Sequence, residues 1–302
     1  MPVRTDLVIE TREMFAGEIA GVESTNHDTD GITVTHVKIT TPEGALKIGK
    51  PMGNYVTIEI QDMQIEDDEL CRRGAKAVCD ELKKLIKIPS DASVLVAGLG
   101  NQYITPDSIG PKTVGKLMVT RHITGESGSG FNFDVRAVSA VAPGVLGLTG
   151  IETSEIILGV TDRIKPSLII AVDALASRKL SRLGTTVQIS DTGISPGSGV
   201  GNNRNELSEK TLGIPVIAIG VPMVVDAATM TVDAIETLSS YLKENYGENE
   251  NEITRILSDS HTLIDKALSD NNENMVVTPN DVDVISDQAS SIIAEGINNA
   301  LF

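Results

Sequence analysis

Four apolar runs constrain the fold more than any other feature of the chain: SVLVAGLG at 93–100, SLIIAVDAL at 167–175, TTVQIS at 185–190 and IPVIAIGVP at 214–222. They read as strands buried on both faces, the pattern of a mostly parallel sheet flanked by helices. Helices are expected between them at 107–120 and 151–164, the second behind Thr149-Gly150-Ile151-Glu152, which has capping-box spacing. The fold class is therefore α/β, and no internal repeat divides residues 1–302, which read as a single domain.

Upstream, residues 5–16 read as a short helix, while GITVTHVKI and NYVTIEI within 31–60 form a β-rich side element around TTPEGALKIGKPMG. From Glu66 to Ile86, Leu70 or Cys71, Ala75, Val78, Leu82 and Leu85 recur at helical steps, with Lys83 and Lys84 placed to favour the C-terminal end of the dipole. The part from 228 to 302 is expected to be mostly helical. DAATMTVDAIETLSSYLKENYG and ITRILSDSHTLIDKAL are helices around a solvated ENENE turn, and DVISDQASSIIAEGINNALF is a helix that breaks near Gly296.

Charge narrows the function. With 42 acidic and 25 basic residues, a net charge of −17 repels phosphate backbones and anionic membranes, so no direct nucleic acid or membrane partner is expected. MPVRTDLVIE lacks the basic start and apolar stretch of a signal peptide, and the expected compartment is the cytoplasm. Cys71 and Cys79 fall on one helix roughly 12 Å apart, too far to bridge, and read as buried thiols. His27, His36, His122 and His261 are scattered without zinc-ligand spacing, so neither a metal nor a cofactor is expected.

Ligands in open α/β sheets gather beyond the carboxyl ends of strands, and three aspartates lie there: Asp107, Asp173 and Asp191. Thr105-Pro106-Asp107 is also a helix start, a structural role compatible with an ionised catalytic carboxylate. Asp173 follows Leu168-Ile169-Ile170-Ala171-Val172, and an acid there must be paired or hold its proton. Two such carboxylates could divide the work of activating water and protonating a leaving group. Asp191 begins Asp-Thr-Gly, the triplet of pepsin-like proteases, but those are all-β and use two such loops. A loop or supporting role suits it better. Gly197, Gly199 and Gly201 lack the lysine of a Walker loop, and Tyr103 stands where Gly98-x-Gly100 would need its third Rossmann glycine, so they read as tight-turn or site-wall glycines.

Several long motifs, in order, carry a resemblance: VRTDL at 3–7, GLGN with TPDSIGP at 98–111, VTRH at 119–122, PGVLGLTGIETSEII at 143–157, AVDALASR at 171–178, QISDTGISPGSGVGNNRNELS at 188–208 and LGIPVIAIGVPMVVDA at 212–227. They resemble the germination protease family, spore endopeptidases that degrade small acid-soluble spore proteins. The resemblance implies an aspartic peptidase with a non-pepsin α/β fold of the hydrogenase-maturation peptidase type, whose catalytic pair falls on Asp107 and Asp173. It further implies a zymogen cut ahead of Val3-Arg4-Thr5-Asp6-Leu7, a homotetramer, and a place in the spore core. Two other readings are a metal-dependent processing peptidase and a nonenzymatic nucleotide-binding α/β module.

Overall fold

The computed structural model describes residues 4–63, 67–124, 135–197, 205–246 and 275–302. Its centre is a mixed sheet. The parallel half contains β4 (Val94–Gly98), β5 (Val138–Val141), β6 (Leu168–Ser177) and β8 (Val216–Asp226). The antiparallel half contains β1 (Val22–Thr29), β2 (Ile32–Ile39), β3 (Gly53–Glu59) and β7 (Thr186–Ser190), and β9 (Val276–Val277) pairs with the far end of β8. The strand order is β1-β2-β3-β7-β8-β6-β4-β5. The β-rich side element is thus an extension of the same sheet.

Both faces of the parallel half are covered, which explains its unbroken apolar runs. On one face Leu95, Ala97, Ile169 and Ala171 pack with Ile157, Val160 and Ile164 of α6 (Thr153–Ile164) and with Leu212 of α7 (Glu209–Leu212). On the other, Val94, Val96, Leu168, Ile170 and Val172 meet Ala77, Val78 and Leu82 of α3 (Asp68–Leu85), and Ile292, Ile293 and Ile297 of the C-terminal helix, α9 (Val282–Leu301). The other helices are α1 (Val8–Glu13) and α2 (Pro42–Ile48), which precede α3, and α4 (Ile109–Gly115), α5 (Leu146–Thr149) and α8 (Ala227–Tyr246).

Several expectations are corrected. TTVQIS is a buried strand, but β7 runs antiparallel to β8 as well as to β3. The C-terminal helix continues through Gly296, where a Cβ would stand 2.5 Å from Val78 Cγ1. The glycine lets two helices approach rather than ending one. Thr149 does not cap α6; it lies in α5, Glu152 occupies the cap position, and Thr149 Oγ1 accepts from the amide of Ile151 at 3.1 Å. The helix expected over 107–120 is a 3-10 turn at Thr105–Asp107 followed by the shorter α4. Within TTPEGALKIGKPMG, Thr41 accepts the Gly44 amide at 3.1 Å and caps an unforeseen α2. Strand β1, VESTNHDT, was also unforeseen because its exposed, polar positions carry no apolar alternation. The ENENE turn and the helix expected at 253–268 lie outside the described residues.

Candidate active site

Strand register explains how Asp107 and Asp173 come to one place. Asp173 lies within β6, opposite Gly220 of β8, and is 4% exposed. Strand β6 runs on to Ser177, so Asp173 is not at its end as the sequence suggested. The neighbouring β4 does end here, at Gly98 opposite Val172. From Asp173 onward, the β4 side of β6 is open to the chain leaving β4. That chain forms the turn carrying Asp107.

Glycines bring that turn close. Gly100 has φ +103°, and a Cβ on it would stand 2.1 Å from the Asp107 carbonyl oxygen. A Cβ on Gly110 would lie 2.2 Å from Leu99 O, 2.4 Å from Leu99 N and 2.6 Å from Val172 O. The glycines of GLGNQYITPDSIG are therefore those of a close helix-to-strand approach. Asp107 Oδ2 accepts the Asn101 amide at 2.9 Å, and Asp173 Oδ1 accepts the Ala174 amide at 2.9 Å.

Both aspartates line a cavity of about 620 Å³. Its walls include the apolar side chains of Leu99, Ile104, Val145, Leu175, Val224 and Val276, and two further acids, Asp6 and Asp226. Four carboxylates around one cavity oppose a phosphate and suit a basic or polar ligand. Pro196 and Gly197 place the beginning of the glycine-rich loop in the same wall, while Gly199 and Gly201 lie outside the described residues.

The two additional acids have clear structural origins. Asp226 ends β8, and its Oδ2 accepts both the amide and the hydroxyl of Thr229 at 2.9 Å, capping α8. The strand-end rule finds Asp226 once the apolar run is followed through MVVDA instead of stopping at Pro222. Asp6 belongs to an N-terminal segment held against the sheet at Ala176. Its amide donates to Ala176 O and its Oδ2 accepts from Ala176 N, both at 2.9 Å. Gln188 fixes the same segment, donating to Asp6 O at 3.2 Å and accepting from Val8 N at 2.8 Å. Nothing in the local sequence around Asp6 signals that long-range pairing.

Behind this segment, α1 is anchored by charge. The buried Glu10 accepts the amides of Arg178 and Lys179 at 2.6 and 2.9 Å. Burial works to raise the Glu13 carboxyl, but hydrogen bonds from Arg182 and Lys179 outweigh it and hold the pKa at about 2.

Asp191 is used differently. Because β7 is antiparallel, its end points toward the beginnings of β6 and β8, with Ser190 opposite Ala218. Its carboxylate is exposed and grips one residue, accepting Asn54 N at 2.8 Å and Asn54 Nδ2 at 2.6 Å. The adjacent Thr192 and Gly193 line a smaller cavity of about 220 Å³, which shares Asp6 and Leu175 with the larger one. In its wall, burial pushes the Tyr55 phenol up to about 12 while its hydroxyl donates to Pro51 O at 2.8 Å.

A profile of germination proteases matches residues 5–262. The chain belongs to the germination protease family. The germination protease of Caldanaerobacter subterraneus subsp. tengcongensis is 46% identical over 305 residues, covering 99% of this chain and 94% of its own. That of Clostridium acetobutylicum is 46% identical over 310 residues, covering 99% and 95%, and that of Bacillus velezensis 41% over 343 residues, covering 99% and 93%. Membership makes this chain a protease. Among solved structures, the [NiFe] hydrogenase maturation protease HycI from Thermococcus kodakarensis aligns with 47% of this chain and 80% of its own, at 17% identity and a TM-score of 0.33. No helix among the described residues is long and apolar enough to cross a membrane.

Proposed function

We propose that this germination protease is an aspartic-type endopeptidase that begins the degradation of small acid-soluble spore proteins, using Asp107 and Asp173 as its catalytic pair. The observation that supports this most is that the two carboxylates, far apart in sequence, line one cavity with apolar and acidic walls. Asp107, which accepts the Asn101 amide, takes the proton from the attacking water. Asp173, the more deeply buried, gives a proton to the departing amine. Water adds to the scissile carbonyl, the tetrahedral intermediate collapses with cleavage of the C–N bond, and no acyl-enzyme forms. The acidic wall suits a polar or basic peptide drawn across the cavity. The protein works in the spore core, is made as a zymogen and assembles as a homotetramer.

The test incubates small acid-soluble spore protein with the wild type and with Asp107→Asn, Asp173→Asn and Asp191→Asn. The first two substitutions abolish cleavage with folding intact, and the third does not. Full activity in either Asp107→Asn or Asp173→Asn rejects the pair. Loss of wild-type activity on adding a chelator, with the thermal midpoint unchanged, would replace this mechanism with a metal-dependent one.

A further inference from the structure

The histidines that looked scattered in sequence are not all scattered in space. His27 on β1 pairs with Val34 of β2, so His36, two residues further along β2, shares its sheet face as a diagonal neighbour. Their rings stack with centroids 5.6 Å apart and planes 23° from parallel. Helix α3 brings Glu81 to the pair, with Oε2 3.4 Å from His36 Nε2.

Glu81 is only 3% exposed, an expensive position for a carboxylate. Its Oε1 is held by Lys84 Nζ at 2.7 Å. Its Oε2 is buried without a hydrogen-bond donor, despite the nearness of His36. One ligand atom from each of His27, His36 and Glu81 lies within 4.8 Å of the others, and theirs is the group among the described residues that could hold an ion.

We propose that His27, His36 and Glu81 form a binding site for a divalent transition-metal cation of the zinc class, separate from the cavity that holds Asp107 and Asp173. Two imidazoles and a carboxylate suit zinc rather than magnesium or calcium, which take oxygen ligands. Tetrahedral zinc, with bonds of about 2.0–2.2 Å, needs ligand atoms roughly 3.4 Å apart. The Glu81–His36 spacing already meets this, and rotation of the exposed His27 ring closes the third side. Water completes the shell on the exposed His27 side. Lys84 stays on Oε1 and leaves Oε2 to the metal. The bound ion would clip the β1–β2 hairpin to α3, linking segments that are distant in the chain.

The test titrates the full chain with Zn²⁺ by calorimetry, alongside His27→Ala, His36→Ala, Glu81→Gln and a His122→Ala control. One equivalent binds to the wild type and to the control and raises their thermal midpoint. Each site substitution weakens binding by about tenfold or more. The exposed His27 keeps the test decisive if Glu81→Gln does not fold. Co²⁺ in place of Zn²⁺ gives a tetrahedral visible band that His27→Ala and His36→Ala abolish. No saturable binding, or binding and Co²⁺ spectra unchanged in both histidine variants, overturns the site.

Discussion

Leu99 donates its backbone amide to the carbonyl oxygen of Val172 at 2.8 Å, carrying the parallel pairing of β4 and β6 one residue beyond the end of β4. Asp173 comes directly after Val172, and the turn that begins at Leu99 leads to Asp107. The relative position of the two aspartates thus depends on this backbone contact and on the space Gly110 leaves beside it.

Gly110→Ala tests that dependence. The added Cβ meets backbone atoms of Leu99 and Val172 at 2.2 to 2.6 Å, where no flexible side chain can yield. Forced displacement in a packed site costs about 1–3 kcal/mol. Urea unfolding should show that loss, with a proportionally larger fall in kcat/KM because Asp107 sits on the displaced turn. Gly115→Ala, in the same helix with nothing within 4 Å, is the control and should match or exceed wild-type stability.

Asp191→Ala should separate the Asp-Thr-Gly triplet from chemistry. It removes two hydrogen bonds that tie the end of β7 to Asn54, both at an exposed site. A cost of about 1 kcal/mol is expected, as for ordinary hydrogen bonds. The variant should keep wild-type kcat on a peptide substrate. A large fall in kcat without loss of stability would return Asp191 to the catalytic machinery.

Apolar runs made the parallel strands legible, since burial on both faces demands residues such as Leu168 to Val172 whatever surrounds them. Strand direction was not legible. TTVQIS has the same buried character whether parallel or antiparallel, and only the pairing of Gln188 with Gly220 and of Ser190 with Ala218 shows which way Asp191 points. Polar edges carry no signal either, so β1, and with it the meeting of His27 and His36, could not be foreseen. Asp107 and Asp173 were legible as candidates because each follows or interrupts an apolar run. The cavity wall was only half legible: Asp226 was hidden by ending β8 too early, and Asp6 by a long-range pairing with Ala176.

Acid should loosen the N-terminal anchor before the sheet. Glu13 has a folded pKa of about 2 against an ordinary 4.5, so its contribution is present above about pH 4.5 and is lost as pH falls toward 2. The thermal midpoint should therefore drop across that window. Glu13→Gln should start lower at neutral pH and show a shallower decline. An identical pH profile for both proteins would mean that the contacts of Glu13 with Arg182 and Lys179 contribute nothing to stability.

Asp226 joins the cavity wall, the start of α8 and the N-terminal segment, and the last two links predict different losses. Its Oδ2 caps α8 through Thr229, while Oδ1 lies 3.6 Å from the Arg4 guanidinium. Asp226→Asn can keep the cap and loses the charge pairing; Asp226→Ala loses both. The alanine variant should cost about 1–2 kcal/mol in urea unfolding, the range for removing a helix cap, and the asparagine variant less. Hydrogen exchange offers the sharper reading. In both variants the Asp6 amide, bonded to Ala176 O, should exchange faster because Arg4 no longer secures the segment's start, while amides in the centre of β6 should stay as protected as in the wild type. If Asp6 protection is unchanged in both, the Arg4 contact does not hold the segment, and its pairing with Ala176 and Gln188 is sufficient.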